Sequence, residues 1–366
     1  MKINRAYRYE LKPNVAQRIL LAQHAGTARF AYNWGLARRI TLYEAEKKST
    51  NAIAQHRELN QLKQTEFPWM YEVSKCAPQE ALRDLDKAFK NFFRGLKLGQ
   101  KVGFPRFKKK GQDDSFRLTG AIKVNGKAVQ LPRLGVIRLK EEPWIRGRIL
   151  SATVSREADR WFVSLACEVE IPDPAPVLGP IVGIDVGLNH FAVLSDGTKV
   201  EAPKPLDKFL KRLRRLSKKH SRKQKGSTNR KKSALALARL HRRIRNIRQD
   251  FLHKLTTNLA KTKSEIVMED LNVRGMMRNG SLARHIADVG WGEFRRQLGY
   301  KTAWYGSKLT LVHRFYPSSK TCSACGYVRE ELPLSVREWD CPSCGVHHDR
   351  DHNAAKNLKN YAKGIA

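Results

Sequence analysis

GIDVGLNHFAVLSDG, residues 183–197, sets an acid inside a run of apolar residues and glycine. Ile181–Val186 reads as a strand and Phe191–Leu194 as a second, turned at Asp196-Gly197. A carboxylate at Asp185 is costly in such a strand unless it is paired or holds a metal.

Two further stretches carry acids of the same kind. Ile266–Met268 reads as a short buried strand running into Glu269-Asp270, and Asp351 stands in Asp349-Arg350-Asp351-His352-Asn353 just before a final helix expected from Asn353. Parallel strands share their C-terminal ends, so Asp185, Glu269 and Asp351 can converge. Clustered carboxylates repel each other unless cations lie between them. Hard oxygen ligands favour Mg²⁺ or Mn²⁺, and two such ions can activate water against a phosphodiester. Taken singly, each acid could be a cap or an ion-pair partner. Strand order and flanking residues together favour the cluster.

Cys322, Cys325, Cys341 and Cys344 form C-x-x-C-x₁₅-C-x-x-C, with Gly326 and Gly345 turning each knuckle. Four thiolates at this spacing predict a closed, structural Zn²⁺ site, with a redox role as the weaker alternative. His347 and His348 are then surplus as ligands. Cys76 and Cys167 are isolated and read as small buried side chains.

The chain has 71 Lys and Arg against 34 Asp and Glu, a formal net charge of +37. Repulsion on that scale calls for a polyanion, and nucleic acid is favoured over a membrane surface. Asp207 to Arg248 holds 18 Lys and Arg and one acid, with Gly226-Ser227 between two helices. The second helix spaces Leu240, Ile244, Ile247, Phe251, Leu255 and Leu259 by three or four, an amphipathic pattern. Arg212, Arg215, Lys219, Arg222, Arg242 and Arg245 are the expected nucleic-acid contacts there. Phe89 to Lys110 interleaves five phenylalanines with cations, among them Arg106 and Lys108, a pattern suited to stacking on bases and holding phosphates, or in part to core packing.

Toward the N-terminus, Ile3–Leu11 reads as a strand stopped by Pro13. Helical patterns then run from Val15 to Leu98, broken near Ser49–Asn51 and at Pro68. From Phe116 to Ile171 the pattern is of strands, with hairpin turns at Asn125-Gly126 and Asp159-Arg160. A small β-barrel with the helical region inserted is expected. Pro172-Asp-Pro-Ala-Pro176 reads as a linker. No apolar run is long enough for a membrane helix, and Met1-Lys-Ile-Asn-Arg lacks the apolar region of a secretory signal, so a cytoplasmic protein is expected.

These blocks resemble the TnpB family, encoded by small insertion sequences and related to type V CRISPR effectors. The matching stretches are GIDVGLNHFAVLSDG from Gly183, VMEDLNVRGM from Val267, and SSKTCSACG…CPSCGVHHDRDHNAAKNL from Ser318. Tyr9-Glu-Leu-Lys-Pro13, Tyr32-Asn-Trp34 and Gly103-Phe-Pro-Arg-Phe-Lys108 are also similar. The resemblance implies an α+β multidomain protein. Its RuvC/RNase H-like nuclease core would occupy 178–317 and 349–366, with a zinc ribbon at 318–348. A β-barrel wedge domain would occupy 1–13 and 113–177, and a helical recognition lobe 14–112.

It further implies an RNA-guided DNA endonuclease, monomeric with its RNA and acting at the nucleoid of a bacterial or archaeal cell. The guide RNA would derive from the transposon end, and target double-stranded DNA would be cut beside a short transposon-adjacent motif. Catalysis would fall on Asp185, Glu269 and Asp351 with Mg²⁺ or Mn²⁺, with Asp349 the second choice for the third acid. The chain departs from some members in lacking a long basic tail after its last helix. Two other readings remain: a guide-dependent repressor that binds without cutting, which the intact acid trio disfavours, and a transposase catalysing strand transfer, which the lack of a recognisable helix-turn-helix disfavours.

Overall fold

The computed structural model describes residues 1–112 and 114–364. The expected domain limit at residue 113 and the last two residues of the expected nuclease segment lie outside them. The chain divides into two units, Met1–Ile171 and Pro172–Ala366. Pro172–Pro176 therefore goes with the second unit, where Val177 N donates to Gly306 O at 3.2 Å. No described helix is long and apolar enough to cross a membrane.

The first unit begins with β1 (Lys2–Lys12), followed by α1 (Val15–Glu46), α2 (Ala52–Thr65), a 3₁₀ turn at Pro68–Glu72 and α3 (Cys76–Lys97). Each helix starts and stops where side-chain chemistry dictates. Asn14 caps α1 in a reciprocal box: its side chain accepts from Gln17 N, and the Gln17 side chain accepts from Asn14 N. Lys47 closes α1 in the left-handed region, and Asn51 accepts from Ile53 N and Ala54 N to open α2.

Six strands complete the unit: β2 (Ser115–Leu118), β3 (Lys123–Asn125), β4 (Ala128–Leu131), β5 (Gly135–Leu139), β6 (Arg148–Glu157) and β7 (Arg160–Glu170). They join β1 in a seven-stranded antiparallel sheet, order β2-β6-β7-β1-β5-β4-β3, with α1 to α3 inserted between β1 and β2. The β6–β7 turn lies one residue earlier than Asp159-Arg160. Arg160 already pairs with Glu157, and Ala158 takes the left-handed conformation.

The second unit holds β8 (Val182–Val186), β9 (Ala192–Leu194), β10 (Lys199–Val200), α4 (Pro205–Ser221), α5 (Thr228–Thr262) and β11 (Glu265–Glu269). Then come α6 (Val273–Met276), α7 (Ala283–Val289), α8 (Trp291–Tyr305), β12 (Lys308–Val312), β13 (Glu338–Asp340), β14 (His347–Asp349) and α9 (Arg350–Ala362). Five strands form one mixed sheet, order β10-β9-β8-β11-β12, in which β8, β11 and β12 are parallel. The short α6 and α7 carry no periodic pattern to betray them. Strand β12 stops at Val312. Helix α9 starts before Asn353 because Asp349 caps it, its side chain accepting from Asp351 N and His352 N at 3.0 Å each.

Alternation along β11 decides how the sheet is covered. Ile266 and Met268 join Ile184, Phe191, Leu252, Leu259, Phe294 and Leu298 in one core, and Val267 packs with Val312 and Leu358 on the other face. Helix α9 thus lies on the opposite side of the sheet from α5 and α8.

It comes very near the sheet at Gly183. A Cβ there would lie 1.9 Å from Ala355 O and 2.6 Å from Lys359 N, both backbone atoms. Gly183→Ala should lower stability by about 1–3 kcal/mol through forced separation of α9 from β8. A lowered midpoint in urea for the second unit's transition would bear this out, and an unchanged midpoint would contradict the packing.

Candidate active site

Two carboxylates stand where neighbouring parallel strands end, and the charge of a third bears on one of them. Ile184 is in register with Met268 across β8 and β11, so the next residues, Asp185 and Glu269, stand side by side at the C-terminal edge. Asp351 lies in the first turn of α9, one helical turn before the Ala355 carbonyl that rests on Gly183.

The electrostatics record this meeting. Burial pushes the Asp185 carboxyl well above its ordinary range, and the charges of Asp351 and Glu269 push it further, against the opposing pull of Arg350 and Arg337. As a residue Asp185 is half-buried. Burial also raises Glu269, offset by Ser318, whose hydroxyl donates to Oε1 at 2.5 Å. Arg337 Nη1 lies 3.5 Å from Asp351 Oδ1. The donor set is all hard oxygen, which suits Mg²⁺ or Mn²⁺.

Asp349 is differently engaged. One oxygen caps α9 and the other accepts from Lys199 Nζ at 2.8 Å, which holds its carboxyl below the usual range despite burial. Such an acid fixes the helix start.

The four cysteine sulfurs all lie within 4.8 Å of one another, the one such cluster of His, Cys, Asp and Glu ligand atoms among the described residues. Cys322 and Cys344 are 3.6 Å apart, as are Cys325 and Cys341. A tetrahedral ion with metal–sulfur bonds of about 2.3 Å needs sulfur pairs roughly 3.8 Å apart, so the quartet fits Zn²⁺. His348 stands outside it. Its Nε2 contacts Cys322 Sγ at 3.0 Å while its ring packs on Trp339.

Three residues that composition and spacing did not single out tie this module to the acids. Ser318 reaches Glu269. Asn353 donates to Thr321 O at 2.7 Å and accepts from Ser323 N at 2.9 Å, and Asn357 donates to Ser318 O at 2.7 Å. Both asparagines are buried and stand four residues apart, on one face of α9. Two buried asparagines at that spacing just after Asp351 were the signal available in the sequence.

The expected nucleic-acid contacts fall in two places. Arg212, Arg215, Lys219 and Arg222 are exposed on α4 and its C-cap, and Arg242 and Arg245 are half-buried on α5. These helices form a hairpin whose turn is held by Arg230, which donates to His220 O and Lys223 O. Arg106 and Lys108 are exposed in the first unit, where Lys108 Nζ sits 4.4 Å from the Tyr32 ring centre.

Comparison with known proteins places this arrangement among relatives. Residues 164–280 match the OrfB/IS605 family, described as "Probable transposase", and residues 291–358 match a "Cas12f1-like, TNB domain". Residues 1–48 match a family described as "Helix-turn-helix domain", although they form one strand and a single 32-residue helix. A Streptomyces pristinaespiralis protein named "Putative RNA-guided DNA endonuclease" is 39% identical, covering 100% of this chain and 90% of the relative. The Escherichia coli K12 "Putative RNA-guided DNA endonuclease InsQ" is 35% identical over 98% of this chain and 92% of its own. The fold is similar to that of a chain in the cryo-EM "Cas12f1-sgRNA-target DNA complex", with a TM-score of 0.61 and 14% identity over 98% of this chain and 99% of that one.

Proposed function

Because the chain belongs to the TnpB family, the OrfB group of IS605-type insertion sequences, we propose that it is an RNA-guided DNA endonuclease. It carries a guide RNA transcribed from the transposon end and cuts target double-stranded DNA beside a short transposon-adjacent motif. The observation that carries this reading is that Asp185 and Glu269 end neighbouring parallel strands and that the charges of Asp351 and Glu269 both bear on Asp185.

We read the mixed sheet as the RuvC/RNase H-like core and the cysteine module as a zinc ribbon holding Zn²⁺. The seven-stranded sheet of the first unit is read as the wedge barrel and its inserted helices as the recognition lobe. Guide pairing supplies sequence recognition, so the protein needs a basic channel rather than a base-reading helix. The exposed cations of α4 suit that demand.

Asp185, Glu269 and Asp351 would hold divalent cations, which would supply positive charge to activate water and stabilise the leaving oxygen. Ser318 orients Glu269, and Arg337 steadies Asp351 between turnovers. In the reaction a water oxygen bonds to phosphorus, the phosphorus–oxygen bond opposite breaks, and the leaving oxygen ends protonated.

The raised Asp185 carboxyl gives the reaction a pH dependence of definite sign. Cation binding needs the ionised form, so cleavage should fall as pH falls toward the raised value. Because the cation competes with the proton, raising Mg²⁺ should move the acid limb to lower pH. The test is cleavage of a target plasmid by protein copurified with its RNA, measured across pH at two Mg²⁺ concentrations, with the bound RNA sequenced. Copurified RNA unrelated to the transposon end, or no Mg²⁺- or Mn²⁺-dependent cleavage, would overturn the reading.

A further inference from the structure

Between α1, α3 and the chain that follows α3, the first unit holds a cavity of about 470 Å³ walled by Phe89, Phe92, Phe93 and Phe104. That volume lies in the range of small-molecule sites, roughly 300–1,000 Å³. Phe92 meets Phe93 and Phe104 edge to face at 5.3 and 5.4 Å, and Phe89 lies 6.1 Å from Phe93 with the rings inclined at 27°. A closed aromatic core would hide these rings, yet Phe93 is 59% exposed, Phe104 47% and the neighbouring Tyr43 59%.

The cavity is built rather than incidental. Asn33 clamps the chain after α3 by accepting from Lys108 N at 2.7 Å and donating to Lys108 O at 2.9 Å. Gly95 lets the same chain close in, since a Cβ there would meet Val102 Cγ1 at 2.4 Å. Arg39 is fixed by Asp86 and Gln55 and lies over the Phe89 ring at 5.0 Å.

The chemistry of the rim names the occupant. Lys97 lies one turn beyond Phe93 on the same face of α3, and Lys48, whose Nζ also meets Glu46 Oε2 at 2.9 Å, lines the cavity. Glu44, Ser49 and Thr50 add hydroxyls and one carboxylate, which accept from amino or sugar hydroxyl groups. An apolar peptide would leave the cations unused, and an acidic peptide would leave the rings unused. A flat ring on an anionic, hydroxyl-bearing backbone satisfies all of them.

We infer that this cavity receives one unpaired nucleobase of an RNA strand, stacked against Phe93 and Phe104, with Lys48 and Lys97 on the flanking phosphates. The inference deepens the endonuclease reading and rests on it. RNA is favoured over DNA because its unpaired bases are commonly splayed out and its 2′-hydroxyl suits the Glu44 rim.

The test uses the full chain freed of RNA by high salt, with a short uridine-rich RNA carrying one 5-iodouridine, irradiated and mapped by mass spectrometry. The expected adduct is on Tyr43, Phe93 or Phe104, with yield at least tenfold lower in Phe93→Leu and in a deoxy version of the probe. Adducts found only elsewhere, or equal yield with the DNA probe, would overturn the inference. So would a concentration-dependent dimer in sedimentation that Phe93→Leu abolishes, because the cavity would then serve a second copy. Guided cleavage by wild type alongside adducts only elsewhere would sink this site and leave the endonuclease. The expected adduct without any guided cleavage would do the reverse.

Discussion

Asp185→Asn should abolish guided cleavage, by at least about a thousandfold, while making the metal-free protein more stable. Removal of a partner that merely orients a metal ligand costs about 10–100-fold, and Asp185 is proposed as a ligand itself. The stability effect follows from the direction in which its carboxyl is shifted. Burial, Asp351 and Glu269 all disfavour its charge, so the folded protein holds that proton to higher pH than the unfolded chain does.

As pH rises from the ordinary carboxylate value through the raised one, the unfolded state has already lost the proton and the folded state must give it up. Stability therefore falls across that window, and the loss persists at neutral pH. Asparagine keeps the shape, removes the charge and can donate to the remaining acids. The metal-free variant should accordingly melt higher than wild type at pH 7, by about 2–4 °C for each kcal/mol relieved in a unit of this size. The gap should close as pH is lowered toward 4. Mg²⁺ should raise the melting point of wild type and leave the variant nearly unmoved. A variant that cuts as wild type does, or that melts lower without metal, would contradict the arrangement.

This opposition between stability and cation binding also explains what the sequence made legible. Asp185 is visible because an acid in an apolar strand has few structural excuses, and the same holds where Glu269 ends β11. The cysteine quartet is visible because metal geometry imposes its spacing. Asp351 is harder, since Asp349 and Asp351 offer the same side chain two residues apart. Only the capping bonds from Asp351 N and His352 N, and the ion pair with Lys199, set Asp349 apart as the cap and leave Asp351 as the acid proposed for catalysis.

Other features depend on distant partners and leave a weaker local trace. The role of Gly183 depends on the approach of a helix from 172 residues further along the chain. Helices α6 and α7 are too short to show a period, and the pairing of β5 beside β1 is set by the sheet rather than by propensity. Phe89 to Lys110 showed its mixed aromatic and cationic character in sequence. Which rings turn outward shows only in the fold, where Phe93, Phe104 and Phe107 are exposed.

Loss of zinc should silence the nuclease although no cysteine is near the phosphodiester chemistry. The first knuckle is stapled to α9: Thr321, beside Cys322, accepts from Asn353 and Asn357, and Ser323 N donates back to Asn353. Ser318, at the entry to the module, holds Glu269, and Arg350 donates to Pro333 O at 2.6 Å within the ribbon. Two of the three acids are thus positioned through a module of few buried apolar residues, Cys322, Trp339 and Cys341 with Leu332 and Val336 beside them. Such a small core cannot hold its shape unaided, and a structural zinc is worth roughly 10–16 kcal/mol in isolated fingers.

Cys341→Ser should therefore eliminate bound zinc, read by atomic emission, and cut the cleavage rate at least about a hundredfold. Asn353→Ala separates position from metal. It should retain zinc while lowering kcat more than KM, because a buried side chain that orders α9 is lost and Asp351 is freed to move. Full cleavage by a zinc-free protein would show that the ribbon does not position the acids. Cleavage unchanged in Asn353→Ala would show that the coupling runs through Ser318 and Glu269 alone.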